Sequence, residues 1–270
     1  MGRLENNELE RAYKQLFCDV CENGLKLSKF FPLEGENYRD SKNGVRIMFV
    51  GRCTNGWTIH NFKDMNFETF YSDSKMPFDW IGEDGKPRRQ VFDSENQYIG
   101  YADEVDLTGQ GEEYRYYRYR IGNSKFFDIV INVTQQLTGC QRNEWHKHIV
   151  WSNLYPISPE LCGNAEGSLK KAQLGAARKV LEAQIAYYKP THIVFVTGWK
   201  DWFEDFSEME IFRLATVNKD VADKIETVLV TQGTACEGQV KVVVVNRPDA
   251  PNKPPVGDYI KAIMDVFKAK

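Results

Sequence analysis

Four short stretches rich in apolar residues punctuate this chain: VRIMFV at Val45–Val50, HIVWSNL at His148–Leu154, THIVFVTG at Thr191–Gly198 and VKVVVV at Val240–Val245. Their length and their β-branched and aromatic content suit buried strands. Segments of helical period lie between and after them. Phe126, Phe127, Val130, Val133, Thr134 and Leu137 share one helical face before the second stretch. Leu169 to Tyr188 repeats apolar or small residues at helical spacing and stops at Lys189-Pro190 before the third. Tyr259, Ile260, Ile263, Met264 and Phe267 form another such face after the fourth. A first amphipathic helix, with Leu9, Ala12, Tyr13, Leu16, Phe17 and Val20 on one side, runs to about Gly24 and is expected as an outer layer. Continuous apolar strands alternating with helices predict a central, mostly parallel sheet covered on both faces, a three-layer α/β/α sandwich.

The 270 residues, 42% hydrophobic and 27% charged, suffice for one α/β domain spanning 1–270. Between about 55 and 120 no period is sustained. This stretch reads as an irregular, aromatic-rich functional insertion, in which period alone does not reveal short strands. A net charge of -3 argues against a surface that is basic all over, as duplex nucleic acid would favour, and leaves room for a local basic groove. No apolar run reaches the roughly 20 residues of a membrane span, and the N-terminus lacks an apolar signal region, so a cytoplasmic protein with no membrane partner is expected. Its 6 cysteines are expected as reduced thiols.

Ligands of open parallel sheets bind where the strands end, because the departing loops enclose a crevice and helix N-termini offer N–H groups there. The segments that matter are therefore Gly51–Trp57, Ser152–Pro159, Thr197–Asp201 and Asn246–Pro251. Local turn chemistry accounts for the Gly, Asn and Pro of any one loop. Four such loops at one sheet edge point to a binding site.

A strand entering VGRCTNG, a later strand ending in Asn153 (WSN), the helix-strand passage LEAQIAYYKPTHIVFVTG and a last strand running into Arg247-Pro248-Asp249 occur in that order. Over roughly Val45 to Pro251 this resembles the uracil-DNA glycosylase superfamily. The resemblance implies that fold and a hydrolase of DNA repair that excises a base by cleaving its N-glycosidic bond. It implies a substrate pocket lined by Gly51, Arg52 and Cys53, with Phe78 stacking on the base and Asn153 reading its edge. It further implies that Asn55 orients the attacking water and that Arg247 stabilises the departing base. Asp249 either holds Arg247 or serves as the water's base. Two departures stand out: GRCTNG replaces the family's Gly-x-x-Pro-Gly, and Arg247-Pro248-Asp249 replaces its His-Pro-Ser. Arginine stays charged and cannot shuttle a proton at neutral pH. The alternative is a non-catalytic nucleotide or nucleic-acid binding module on the same fold.

Rival features carry less. EYRYYRYR interleaves four tyrosines with Arg115, Arg118 and Arg120, a pattern suited to single-stranded nucleic acid, and reads otherwise as an exposed strand or helix start. GKPRR, Gly85–Arg89, reads as a solvated loop. Cys18 and Cys21 resemble the pair that opens some members of that family and helps hold a four-iron cluster, but Ile157 stands where a further cysteine would be. They are expected as buried helix thiols, and no cofactor is expected. His146 and His148, two apart, suit a strand entrance better than a metal pair, and no metal site is expected.

Overall fold

The computed structural model describes residues 2–21, 26–41, 43–53, 59–61, 65–72, 81–86, 88, 90–92, 98–101, 115–117, 121, 124–159, 164–200, 202–212, 228–231, 240–249 and 253–268. In chain order the elements are α1 (Gly2–Cys21), β1 (Lys26–Lys29), β2 (Leu33–Glu34), β3 (Ile47–Gly51), β4 (Ile59–Asn61), α2 (Phe67–Ser72), β5 (Gln90–Phe92), β6 (Tyr98–Tyr101) and β7 (Arg115–Tyr117). There follow α3 (Lys125–Thr138), β8 (Ile149–Asn153), β9 (Ile157–Pro159), α4 (Gly167–Tyr188), β10 (His192–Val196), β11 (Val228–Thr231), β12 (Lys241–Val245) and α5 (Val256–Lys268).

The central sheet has the order β11-β12-β10-β3-β8-β2. Its inner strands β12, β10, β3 and β8 are parallel, and β11 and β2 close the edges antiparallel. The chain steps from β3 through α3 to β8 on one side, then returns through α4 past β3 to β10 on the other. Right-handed crossovers in opposite directions place α3 and α4 on opposite faces. Strand side chains alternate accordingly. Ile47, Phe49, Ile149, Trp151, Val194 and Val243 pack with α3 and α5, and Met48, Val50, Val150, Ile193, Phe195 and Val242 pack with α4 and the aromatic turns around Phe203. The expected α/β fold with a mostly parallel central sheet is what forms.

α4 is buried on two sides, which explains why its apolar residues run most of the way round the helix. Ala177, Leu181 and Ile185 face the sheet, while Ala176 and Val180 face a third cluster with Leu9, Tyr13 and Leu16 of α1. That makes α1 an outer layer. Its buried amides are satisfied: Gln184 accepts from Ser152 Oγ at 2.6 Å and donates to the Tyr13 hydroxyl at 2.8 Å, and Gln173 brackets Ile157 through its N–H and carbonyl. The helix ends at Lys189, whose φ of 49° breaks the helical path before Pro190.

Two expectations change. The stretch 55–120 is not wholly irregular: it contains β4, α2 and a three-stranded antiparallel sheet, β6-β5-β7. Strands of three or four residues with mixed polarity are too short to display a period. His146 and His148 lie in a 3-10 turn, Trp145–His148, that leads directly into β8, the strand entrance expected. Cys18 is exposed rather than buried, because it falls off the Leu9–Tyr13–Leu16–Val20 stripe of α1. Arg115–Tyr117 forms the edge strand β7, and Lys86 pairs with Asp84 at 3.0 Å in an exposed turn. No described helix is long and apolar enough to cross a membrane.

Candidate functional site

Because β3, β8, β10 and β12 run parallel, their carboxyl ends share one edge, and Gly51, Asn153, Thr197 and Asn246 stand there together. Gly51 pairs with Asn153 in register, and the ladder runs on as Leu154 N–H donates to Gly51 O and Tyr155 N–H to Arg52 O, both at 2.9 Å. A Cβ at Gly51 would collide with Asn153 Oδ1 and would lie 3.6 Å from Asn153 Cγ and 3.8 Å from Phe126 Cε2. Only glycine lets the Asn153 amide lie against the backbone here.

Asn153 is 4% exposed. Its Nδ2 is buried and, among the described residues, has no hydrogen-bond acceptor. An unmade hydrogen bond on a buried amide costs about 1–3 kcal/mol, so a group of this kind calls for an explanation. The chain could have satisfied or replaced it, as it satisfies Gln173 and Gln184. The Asn153 amide turns its oxygen toward Gly51, beside the half-buried ring of Phe126 in the first turn of α3.

Arg52 crosses the junction between β3 and β10, where the strand order reverses. Its Nε donates to Thr197 O at 2.7 Å, and its guanidinium lies 4.7 Å from the ring centre of Trp202. Gly198 follows with φ of 79°, a conformation that favours glycine, and a Cβ there would approach Asn246 Oδ1 to 3.1 Å. Trp202 belongs to a cluster in which the Tyr155 hydroxyl donates to Asp205 Oδ2 at 2.8 Å and Lys170 Nζ meets the same oxygen at 2.6 Å. Burial and then Asp205 raise the Tyr155 phenol, so it stays protonated.

Cys53 accepts from Ala165 N–H at 3.3 Å and has Asn164 Oδ1 at 3.6 Å. Burial pushes its thiol up to about 11, against lowering by the Ala165 bond and by the charges of Arg247 and Arg52. At neutral pH it is a thiol, not a nucleophilic thiolate. Arg247 stands in the loop that leaves β12 at the same edge of the sheet. Arg247 Nε donates to Asp249 Oδ2 at 3.1 Å with both side chains substantially exposed, and Lys125 Nζ of α3 donates to Pro248 O at 3.2 Å, tying this loop to the helix.

Of the residues expected from sequence, Gly51, Arg52, Cys53 and Asn153 come together on β3 and β8, with Arg247 and Asp249 near them. Asn55 and Phe78 lie outside the described residues. Phe126 packs against the core as its helical period implies, its ring 6.0 Å from that of Trp151, and it also comes within reach of Gly51; Lys125 beside it was not singled out from sequence. The signal available was position: the first turn of a helix that follows β3 must lie at the carboxyl edge. Among the described residues no group of three or more His, Cys, Asp or Glu could hold a metal ion. Compared with known proteins, the chain matches no protein-family model and no curated protein sequence.

Proposed function

We propose that this edge binds a nucleobase, and that the protein is a uracil-DNA glycosylase-like hydrolase that releases a base from DNA. The observation that carries the reading is the buried, unpaired Asn153 amide lying over Gly51 and beside Phe126. A flat heterocycle with an acceptor on its edge satisfies that donor, and the half-buried Phe126 ring supplies an apolar wall for its face. A base in duplex DNA reaches such a pocket only by leaving the stack, which favours single-stranded or weakly paired substrate. Cleaving the N-glycosidic bond places positive charge on the sugar and negative charge on the base. A donor for the base and an oriented water for the sugar, the role assigned to Asn55, act on the two sides.

A second reading, a binding module without chemistry, draws support from the Arg247–Asp249 pair. Where the resembled family carries a histidine, this chain places a permanently charged residue that shares its charge with a carboxylate. Incubation with single- and double-stranded DNA carrying uracil or other altered bases separates the two. Abasic sites that form in the native protein and fail to form in Asn153→Ala support the hydrolase. Oligonucleotide binding without base release, lost in Asn153→Ala, supports the module. Neither binding nor release would end both readings.

A further inference from the structure

We propose that Arg52 holds a phosphate group of the ligand in the crevice between the ends of β3 and β10, so that the unit bound is a nucleotide and not a bare base. The proposal rests on the nucleobase reading above and gives it a second anchor. β3 and β10 are parallel neighbours. The chain leaves β3 toward β8 and leaves β10 toward β11 and β12, so their carboxyl ends open a crevice where the strand order reverses. Arg52 is half-buried and lies across it. Its Nε donates to Thr197 O at 2.7 Å, and its guanidinium lies 4.7 Å from the ring centre of Trp202. These two contacts fix the plane of the fork, so little side-chain freedom is left to lose when an anion binds. A guanidinium carries five N–H donors, so one fork can serve a protein acceptor and a ligand oxygen together. Its Nη2 stands 3.5 Å from the point a Cβ would occupy at Gly198. Glycine leaves that end of the fork uncovered by any side chain at position 198.

Lys170, in the first turn of α4, brings a second positive charge to the same indole. Its Nζ lies 5.2 Å from the Trp202 ring centre and pairs with Asp205 at 2.6 Å. The Lys170 side chain is 22% exposed, against 47% for Arg247. Charges partly withdrawn from water attract an anion more strongly than exposed ones do. A phosphate presents several acceptor oxygens in a geometry that matches the guanidinium fork, and it is the anion this arrangement suits. Successive residues of a strand face opposite ways. Gly51 is bare toward Asn153 and Phe126 on the α3 side, while Arg52 reaches Trp202 in the cluster that packs with α4. A base on the first side and a phosphate on the second place the sugar over the end of β3.

The test measures binding of deoxyuridine, deoxyuridine 5′-monophosphate and inorganic phosphate at fixed ionic strength, with thermal unfolding to confirm that each variant folds. The native protein should bind the monophosphate roughly ten- to a hundredfold more tightly than deoxyuridine, the range of a charge-assisted hydrogen bond. Arg52→Gln should abolish that margin and leave deoxyuridine binding in place. Arg52→Lys should keep part of it, since the charge remains without the fork. Lys171→Met, which removes an exposed lysine from the same turn of α4, should leave it unchanged. The proposal is overturned if the native protein shows no margin, if Arg52→Gln keeps it, or if Lys171→Met removes as much as Arg52→Gln does. It is also overturned if Arg52→Gln weakens both ligands alike, the mark of a structural brace. Failure of deoxyuridine to bind, with inorganic phosphate stabilising the native protein and not Arg52→Gln, defeats the nucleobase reading and leaves the phosphate site standing. A neutral methylphosphonate beside the uracil of an oligonucleotide assigns the source. A loss that matches Arg52→Gln puts the phosphate in a strand, and unchanged binding, with the monophosphate margin present, puts it on a free nucleotide.

Discussion

The loops at the two ends of the central sheet are tied down differently. At the amino edge the groups of Arg46, Thr191 and Lys241 are answered from within the chain. Thr191 and His192 N–H donate to Arg46 O, Arg46 N–H donates to Thr191 Oγ1, and Arg46 Nε donates to Lys189 O. Lys241 N–H donates to Thr191 O, and Lys241 Nζ donates to Phe267 O at 2.6 Å. At the carboxyl edge, glycine bares the backbone at 51 and a buried amide donor at Asn153 is left unpaired. The first end is built to hold the sheet together. The second keeps a buried amide without an acceptor among the described residues, a cost of about 1–3 kcal/mol that the proposed site would account for.

The strongest way to break this contrast is Gly51→Ala. The added Cβ meets Asn153 Oδ1 and must push the amide aside, at a cost of about 2–3 kcal/mol. Urea unfolding should show that loss, and uracil-oligonucleotide binding should disappear with it. A comparable amino-edge change, Thr191→Val, should lower stability and leave binding intact.

Acidification should weaken the amino edge next. Burial, with Lys147, lowers His146 to about 4, and burial, with Lys241, lowers His192 to about 4, against an ordinary value of 6.5. The unfolded chain therefore takes up these protons before the folded one does. Stability is full above pH 6.5 and declines as pH falls toward 4, by on the order of 2 kcal/mol after allowance for screening at His192. Thermal unfolding across that range should show the slope, and His192→Phe should flatten part of it while keeping the edge contact with Phe267.

Smaller and opposite in sign is Asn153→Leu. Replacing an unpaired buried amide by an apolar group of similar size should raise stability by about 1 kcal/mol while abolishing base binding. A loss of stability instead would mean that the amide is a structural group, and the contrast between the edges would fail. The least effect on folding is expected for Arg247→Ala, below about 0.5 kcal/mol by chemical denaturation, because its ion pair with Asp249 is exposed.

Much of the architecture was legible along the chain. The apolar runs containing Ile47–Gly51, Ile149–Asn153, His192–Val196 and Lys241–Val245 became the parallel core, since strands buried on both faces must be apolar at successive positions. The loops at the carboxyl ends of the strands were legible, and Gly51 and Asn153, named from sequence, do come together there. Short strands such as Gln90–Phe92 and Tyr98–Tyr101 were not legible, because three or four residues pair through their backbones with no periodic side-chain pattern. Nor was the exposure of Cys18, which depends on which side of α1 meets α4.

The sequence by itself determined that strands and helices alternate and that Asn153 ends a buried strand, because periodicity and burial are properties of neighbouring residues. Only the tertiary structure decided that Gly51 sits opposite Asn153, that the amide between them lacks an acceptor among the described residues, and that the first turn of α3 comes down beside it. Those are facts about register and crossover direction. They join residues about 100 positions apart, and no local pattern encodes which of a strand's polar groups the rest of the fold will leave unanswered.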